Sequence, residues 1–497
     1  MMNRSSGILM SLSSLPSPYG IGTMGRAAYE FVDFLSASKQ SWWQLPPLGP
    51  TAYGDSPYSS PSSFAGNPYF IDPDMLVNER LLERAELEDI DWGSDPSKVD
   101  YAAVYEHRFD ILRKAFDRAP SGLLEEAEAF HTKNRSWIDN YALYMSLKSE
   151  FDNVSWTQWP DDIRLRQGGA VKHYSEKLSG EIRFWIFVQY LFFRQWNALK
   201  SYAHSKGIGF IGDIPIYMAM DSADVWSEPE FYLLDENLVP TEVSGVPPDE
   251  FTADGQLWGN PIYDWERMKS DGFKWWKRRI EGASALFDVI RIDHFRGLAS
   301  YWAVPYGDKT ARRGIWREGP GMGLINALKG WFPTLEFIAE DLGYPTPEVA
   351  KLVEDSGFPG MNVLQFGFEA DDDSMFMPHY IRINNVCYIG THDNDTAVGW
   401  FNSLSEEDRK FFDDYTHHVS NESRCRTLLR TGMASPAKLF VLTMQDALEL
   451  PSCCRMNTPG SSSGNWRWRM LPGAASQRLA QELAYLTKLY RRTAPAR

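Results

Sequence analysis

Eight short apolar runs alternate with helical patterns along the 497 residues, and this alternation predicts an α/β fold, a (β/α)8 TIM barrel. The runs are rich in β-branched and aromatic residues, as is typical of parallel strands that are covered on both faces. Their uneven spacing predicts large subdomain insertions at the rim of the C-terminal face of the barrel. An open doubly wound sheet is the alternative that the same alternation allows.

The strands are assigned from the apolar runs, and the helices from apolar residues that recur at helical spacing. Strands are predicted at about 7–10, 42–48, 208–217, 287–293, 334–341, 362–366, 385–390 and 439–443. Helices are predicted at about 25–38, 181–206, 274–285, 346–356 and 476–492. The fourth helix carries its own boundary signals, because Thr346 is a good N-cap, Pro347 suits the first helical position and Gly357 a helix stop.

Two long segments interrupt the regular alternation of strands and helices. Far more residues separate the second and third strands than one crossover helix needs, and we predict an inserted subdomain over about 65–180. A second excursion, at about 218–273, follows the third strand. No Pro-rich or Ser-rich linker divides the chain, so residues 1–497 are expected to form a single barrel whose insertions build walls above its mouth.

Composition narrows the classes of partner and the cellular compartment. A net charge of −16, from 50 Lys and Arg against 66 Asp and Glu, makes nucleic acid and acidic membrane surfaces poor partners. No uninterrupted apolar stretch approaches the roughly 18 residues that suggest a membrane-spanning helix. The four cysteines are too few and too irregularly spaced for a disulfide framework, and no CxxC or HExxH motif suggests a zinc site. We therefore expect a cytoplasmic protein with reduced thiols and no metal.

Acidic residues end four of the predicted strands. They are Asp213, Asp293, Glu340 and Asp393. In a parallel barrel the carboxyl ends of all strands meet at one face, which is where active sites of this fold lie. The four carboxylates are therefore expected to gather at a single rim, although their positions in the chain are far apart.

The neighbours of these acids predict the protonation state and the role of each. Residues i and i+2 of a strand point to the same face, so Arg291 should favour the ionised, nucleophilic form of Asp293. Glu340 follows an apolar run, and a dry pocket would keep it protonated, as a general acid must be. Asp393 beside His392 would hold sugar hydroxyls and oppose the charge of an oxocarbenium-like transition state. Such a carboxylate pair is what cleavage of a glycosidic bond requires.

Other interpretations of the same residues remain open at this point. The carboxylates could instead bind Mg²⁺ in a barrel that abstracts protons, although Arg291 on the same face would compete with a dication. A glucan hydrolase would use the same acids as a transferase. A glucan-binding protein on an inactive barrel is the non-enzymatic alternative, and an intact set of acids argues against it.

Several segments resemble the catalytic and binding segments of the amylomaltase family. These enzymes are 4-α-glucanotransferases, or disproportionating enzymes, and are distantly related to the α-amylases. The similarity extends over nearly the whole chain and includes 14–22, 53–58, 255–261, Arg291–His294, Ala339–Gly343, Gly390–Thr396, 456–460 and 464–469. The chain departs from the family pattern at Ser11–Ser13, at Ser59–Pro61 and at Glu369, where an Asp is expected. These departures concern donor-side contacts and leave the catalytic acids unaffected.

The resemblance assigns a role to each matching residue. It implies Asp293 as nucleophile, Glu340 as acid/base and Asp393 as transition-state stabiliser. The sugar-binding residues that it implies are Tyr58, Asp213, Arg291, His392, Gln256, Trp258, Phe251, Phe366, Ser56 and Asn465. It also makes the 218–273 segment the acceptor side of the cleft. Because transfer requires that water be excluded, we predict that the loop around 249–263, with Phe251, Trp258 and Tyr263, is a lid; the alternative is a hydrophobic plug that holds the insertion to the barrel.

The resemblance also implies the reaction. A covalent glycosyl-enzyme would form on Asp293 and be resolved by the 4-OH of another glucan. Its partners would be maltooligosaccharides and α-1,4-glucans, and no cofactor is expected.

Overall fold

The computed structural model describes residues 3–51, 53–248, 252–343, 346–461 and 463–493. Within these residues the strands are β1 (Ser5–Leu9), β2 (Trp42–Gln44), β3 (Gly209–Ile214), β4 (Glu242–Val246), β5 (Gln256–Pro261), β6 (Val289–Ile292), β7 (Ser300–Pro305), β8 (Ile315–Glu318), β9 (Glu336–Ala339), β10 (Gly360–Val363), β11 (Asn385–Tyr388) and β12 (Leu439–Thr443).

The α-helices of the same residues run along the whole chain. They are α1 (Arg26–Ala37), α2 (Pro73–Asn78), α3 (Ala85–Glu88), α4 (Tyr101–Asp117), α5 (Ser121–Glu150), α6 (Asp161–Arg164), α7 (Gly168–Lys177), α8 (Ser179–Ser205), α9 (Ala223–Ser227), α10 (Trp265–Ser270), α11 (Lys274–Leu286), α12 (Gly321–Trp331), α13 (Pro347–Ser356), α14 (Ala397–Ser403), α15 (Glu406–Thr416), α16 (Arg424–Ala434), α17 (Met444–Ala447) and α18 (Gln477–Leu489).

Eight of the strands form one parallel sheet that curls into a barrel. Their order is β10-β11-β12-β1-β2-β3-β6-β9, and every neighbouring pair within it is parallel. The two ends of the sheet approach each other where the Ala339 N–H of β9 donates to the Pro359 carbonyl just before β10, at 2.9 Å. The predicted TIM barrel is therefore confirmed, and the open doubly wound sheet is wrong.

The eight barrel strands coincide with the eight predicted ones, but several end earlier than predicted. The second predicted strand, at about 42–48, ends at Gln44 because Pro46 and Pro47 carry no N–H for the ladder. Among the helices, α13 has the boundaries that its capping signals predict. The Thr346 hydroxyl accepts from the Val349 N–H at 3.4 Å, and Gly357 ends the helix at φ 69°.

The barrel interior is filled by alternate residues of all eight strands. This cluster consists of Leu9, Trp42, Ile211, Val289, Ile338, Met361, Val363, Val386, Tyr388, Leu439 and Val441. Because side chains alternate along a strand, the residues two positions after Ile211, Val289 and Ile338 also point inward. Those residues are Asp213, Arg291 and Glu340, and Asp293 is two further on from Arg291. The interior is thus apolar below and charged at its C-terminal mouth.

A second, antiparallel sheet lies outside the barrel, in the order β5-β4-β7-β8. Its strands β4 and β5 come from the excursion after β3, whereas β7 and β8 come from a further excursion after β6. The sequence analysis placed excursions at about 65–180 and 218–273 but none after β6, so the contribution of residues 300–318 to this sheet was not predicted. Helices α2 to α8 lie between β2 and β3. No helix of the described residues combines the length and the apolar character that crossing a bilayer demands.

Candidate active site

Strand pairing brings the charged residues of three adjacent strands into one row. Asp213 of β3 is the register partner of Arg291 in β6. Ile292 of β6 pairs with Ala339 of β9, so Asp293 and Glu340 follow side by side on neighbouring strands. The Glu340 N–H still donates to the Ile292 carbonyl, at 3.1 Å. The relative position of Asp293 and Glu340 is therefore set by the main-chain ladder.

Arg291 joins two of the carboxylates through one nitrogen. Its Nη1 donates to Oδ1 of Asp293 at 2.9 Å and also to Oδ2 of Asp213. Both Arg291 and Asp213 are almost fully buried, whereas the side chain of Asp293 is 28% exposed toward the mouth. The guanidinium occupies the space between these two carboxylates that a divalent cation would need, which argues against the Mg²⁺ alternative.

Backbone N–H groups orient the carboxyl group of Glu340. Oε2 accepts from the His294 N–H at 2.7 Å, and Oε1 accepts from the Leu342 N–H at 2.8 Å. His294 adopts a left-handed conformation, with φ 51°, and this turns its N–H toward Glu340 directly after Asp293. Burial lowers the pKa of the His294 imidazole to about 3, so the ring adds no charge beside the two acids.

Asp393 lies in the loop after β11, on another part of the barrel mouth. Its Oδ2 is 3.3 Å from Nε2 of His392, and its Oδ1 accepts from Nδ2 of Asn457 at 2.5 Å. The carboxylate is 40% exposed, so it remains reachable from the cleft. Arg455 Nη2 donates to the Asp393 backbone carbonyl at 2.5 Å. The loop that carries Asp393 is therefore held by residues 455–457.

Tyr58 connects the two sides of the mouth. Its hydroxyl lies 2.7 Å from Oδ2 of Asp213, to which it donates, and 2.9 Å from Nε2 of His392. Its ring stacks on the His392 ring at a centroid distance of 5.3 Å and lies 5.7 Å from the ring of Trp466. The Ser56 hydroxyl accepts from the Tyr58 N–H at 3.2 Å, and so Ser56 shapes the turn that presents Tyr58.

The environment sets the three acids at different pKa values. Burial raises the pKa of Glu340 to about 8, against the lowering by Arg291 and by its two backbone donors. Burial also raises the pKa of Asp293, to about 6, although Arg291 opposes this change. Burial acts on Asp393 as well, but His392 and Asn457 outweigh it and lower the pKa of Asp393 to about 2. The environment therefore favours the protonated form most strongly at Glu340 and the ionised form most strongly at Asp393, with Asp293 between them.

These values predict a bell-shaped dependence of kcat/KM on pH. Activity should rise as pH increases through about 6, because Asp293 must lose its proton to be charged. It should fall as pH increases through about 8, because Glu340 then loses the proton that an acid donates. The initial rate is measured at low substrate concentration from pH 4.5 to 9.5. The two limbs of the profile give apparent pKa values of Asp293 and Glu340 as a pair, because the two acids interact. A rate that is flat between pH 6.5 and 9.5 would contradict the protonated state of Glu340.

The small sheet brings two of the predicted sugar-binding residues close to the acids. The Trp258 ring is 38% exposed and lies edge-on to the His294 ring, with centroids 4.7 Å apart. Its Nε1 donates to Oε1 of Gln256 at 3.2 Å. Tyr263 does not face the cleft as a lid residue would, because it is fully buried and its hydroxyl donates to the Ile216 carbonyl at 2.9 Å. Tyr263 instead anchors the base of this segment.

Two other predicted residues, Phe366 and Asn465, contact residues other than the acids. Phe366 follows β10, is 41% exposed and contacts the Phe376 ring edge-on at 5.4 Å. The Asn465 amide is used within its own loop, where Nδ2 donates to the Ser461 carbonyl at 3.0 Å and Oδ1 accepts from the Thr458 N–H at 2.9 Å. Phe251 lies outside the described residues.

Three residues of the site received no role in the sequence analysis. Asn457 and Arg455 contact Asp393, and Trp466 packs its ring against Tyr58 and His392. Asn457 and Trp466 fall within segments that resemble the amylomaltase family, and this was the signal available for them.

A parallel barrel with four carboxyl groups at its C-terminal mouth, two of them side by side on adjacent strands, defines a class, namely barrel enzymes equipped to cleave glycosidic bonds. Comparison with known proteins narrows this class. The family model Glyco_hydro_77, described as 4-alpha-glucanotransferase, matches residues 10–474. A 4-alpha-glucanotransferase of Streptococcus pneumoniae is 47% identical over 495 residues, which cover 99% of this chain and 98% of the relative. The 4-alpha-glucanotransferase of Clostridium butyricum is 44% identical over 485 residues, covering 97% and 100%.

A solved structure agrees with both relatives. The amylomaltase from Streptococcus agalactiae, in complex with acarbose, superposes with a TM-score of 0.95 at 40% identity and covers 98% of this chain and 99% of that one. The chain therefore belongs to the 4-α-glucanotransferase family. Its activity is transglycosylation between glucans, so the alternatives of a hydrolase and of an inactive binding protein are not favoured.

Proposed function

We propose that this enzyme transfers α-1,4-glucan segments by a double displacement in which Asp293 is the nucleophile and Glu340 the acid/base. The observation that carries the proposal is the placement of Asp293 and Glu340 side by side, directly after the adjacent strands β6 and β9. Burial, which raises the pKa of Glu340 more than that of Asp293, favours Glu340 as the acid of the pair. A retaining mechanism requires the two carboxyl groups to lie about 5–5.5 Å apart.

The two steps use each acid in turn. In the first step, a carboxylate oxygen of Asp293 forms a bond to C1 of the donor sugar while the C1–O4 bond breaks, and Glu340 gives its proton to the departing O4. In the second step, Glu340 takes the proton of the acceptor 4-OH, whose oxygen attacks C1 and releases Asp293. Two inversions at C1 retain the α configuration.

The other polar groups of the mouth would stabilise and orient the reacting sugar. Asp393 keeps its charge throughout, so it can oppose the positive charge that develops near C1. One hydrogen-bond network at the mouth joins Tyr58, Asp213, Arg291 and His392. These four residues come from different parts of the chain. Ser56 would position Tyr58, while Asn465 would shape the loop near Asp393.

Transfer requires the acceptor to react before water does. We assign this selection to the acceptor-side segment, about 218–273. In this segment the Trp258 ring packs against the His294 ring, and Gln256 accepts a hydrogen bond from Trp258. The family resemblance makes Phe251 and Phe366 further aromatic contacts of the glucan chain. The inserted subdomain over about 65–180 would form another wall of the cleft.

Incubation with maltotriose tests this proposal. The wild-type enzyme should produce a ladder of longer oligomers together with glucose. The Trp258→Ala variant should release more reducing sugar per transfer event, by about 3–10-fold, because water reaches the glycosyl-enzyme more easily. Product ladders are resolved by chromatography, and Trp302→Ala, a change in the same small sheet, serves as control. An unchanged ratio of hydrolysis to transfer in Trp258→Ala would contradict the role of Trp258.

We further propose maltooligosaccharides and α-1,4-glucans as the substrates and the cytoplasm as the location. The thiols of Cys387 and Cys425 are free and buried, which suits a reducing compartment. The net charge of −16 argues against nucleic acid as a partner.

A further inference from the structure

Residues 455–457 contact the loop of Asp393 through both main chain and side chain. The Asn457 N–H donates to the His392 carbonyl at 3.1 Å, and Arg455 Nε donates to the Asn457 carbonyl at 2.7 Å. Arg455 Nη2 also donates to the Asp393 carbonyl. These bonds hold the backbone of both loops and do not involve the side-chain amide of Asn457. That amide makes one separate bond, from Nδ2 to Oδ1 of Asp393.

We propose that Asn457 is a positioning residue that fixes the rotation of the Asp393 carboxylate through this hydrogen bond. The inference rests on the proposed role of Asp393 as transition-state stabiliser. With Oδ1 held by Asn457 and Oδ2 beside His392, the plane of the carboxylate has one orientation. A carboxylate in a half-exposed site would otherwise rotate, because its terminal torsion is broad.

The proposed consequence is confined to catalysis. Electrostatic stabilisation of a transition state depends on groups that are oriented before charge develops. A carboxylate that must be reoriented during the reaction stabilises the oxocarbenium-like state less, while ground-state binding through Tyr58 and the cleft walls is little changed. Loss of the Asn457 amide should therefore lower kcat and leave KM nearly constant.

Within the described part of the chain, several charged and titratable groups act on Asp393. His392 lies against Oδ2, Arg455 against the backbone carbonyl, and the charges of Arg291, Asp293 and Tyr58 act on the site across the mouth. A second carboxylate at position 457 would be added to this group directly against Oδ1. Two carboxylates in contact raise the pKa of one of them, so they would share a proton.

Two variants of similar size test the proposal. Asn457→Leu removes the donor, and we expect kcat to fall by about 10–100-fold at every pH, with KM within about twofold. Asn457→Asp should be at least as impaired above pH 7, but its rate relative to wild type should recover as pH falls, because a protonated Asp donates the bond that the amide made. The rate of each variant is divided by the wild-type rate at the same pH, from pH 5 to 8.5. Ser452→Ala, which removes a donor to Asp395 in the same loop, is the matched control and should keep the wild-type rate.

The Asp393→Asn variant distinguishes failure of the proposed role of Asp393 from failure of the proposed role of Asn457. If Asp393→Asn keeps wild-type activity, the proposed function of Asp393 fails. If Asp393→Asn is strongly impaired but Asn457→Leu has the wild-type kcat, or the relative rates of Asn457→Leu and Asn457→Asp are equal at every pH, the role of Asn457 is overturned. Adding Asn457→Leu to Asp393→Asn should leave the residual rate of Asp393→Asn unchanged, because Asn457 acts through Asp393. Thermal unfolding of each variant identifies any loss that comes from misfolding.

Discussion

Asp293→Asn is expected to lower kcat by about 10⁴-fold or more, because the amide cannot attack C1 while the rest of the site stays in place. The amide oxygen of Asn has the same position and size as Oδ1 of Asp293, so the hydrogen bond from Arg291 can remain. Maltooligosaccharide binding, measured by calorimetry, should therefore persist with a Kd within about tenfold of wild type.

A matched control for this variant lies at the other end of the same strand. Asp288 precedes β6, and its Oδ2 accepts from the Phe210 N–H at 2.8 Å on the N-terminal side of the barrel. Asp288→Asn keeps an acceptor for that bond and should retain activity within about twofold. Wild-type turnover by Asp293→Asn would reject Asp293 as the nucleophile, whereas loss of all sugar binding would show that it mainly supports the structure of the site.

Glu340→Gln is expected to lower kcat on maltotriose by about 10²–10⁴-fold, because the departing O4 no longer receives a proton. A glycosyl fluoride donor needs no such proton, so its first step should be restored. The second step still lacks a base, and the covalent glycosyl-enzyme should accumulate. Mass spectrometry of the intact protein should show one added glycosyl group, and peptide mapping should place it on Asp293.

The Glu340→Gln variant also tests the pH dependence. With the fluoride donor, the rate of glycosyl-enzyme formation should no longer fall near pH 8. The group whose pKa burial raises to about 8 has been removed in this variant. Glu336→Gln, at the first position of β9, is the matched control and should keep both the rate and the pH profile. If the fluoride donor restores nothing, or if the sugar is attached to a residue other than Asp293, the assignment of the two acids is wrong.

The barrel and its charged mouth were predictable because their signals are local. Each barrel strand is a short run rich in apolar residues. In β6 the pattern Val289-Ile290-Arg291-Ile292 places Arg291 at the inward position two residues before Asp293. The small outer sheet was not predictable in the same way. All four side chains of β8 are exposed, so no burial pattern marks Ile315–Glu318 as a strand.

The contacts that orient the acids and set their pKa values could not be predicted from local sequence patterns. Asn457 and Asp393 are 64 residues apart and lie on different loops, and nothing in a loop asparagine indicates which carboxylate it contacts. The pKa of Asp293 is a similar case. Arg291 favours the charged form as expected, but burial at the top of the barrel outweighs it, and the balance depends on packing.

The ladder between β6 and β9 has a practical consequence for redesign of this enzyme. Main-chain pairing holds Asp293 and Glu340 in place, while the excursions after β2, β3 and β6 make up the surroundings of the mouth. The relative position of the two acids is thus set mainly by the barrel, although Tyr58 and His294 of those excursions also contact the acidic residues. Directed evolution of glucan preference can concentrate libraries on the excursions while Tyr58 and His294 are kept, and the stereochemical outcome should survive such shuffling.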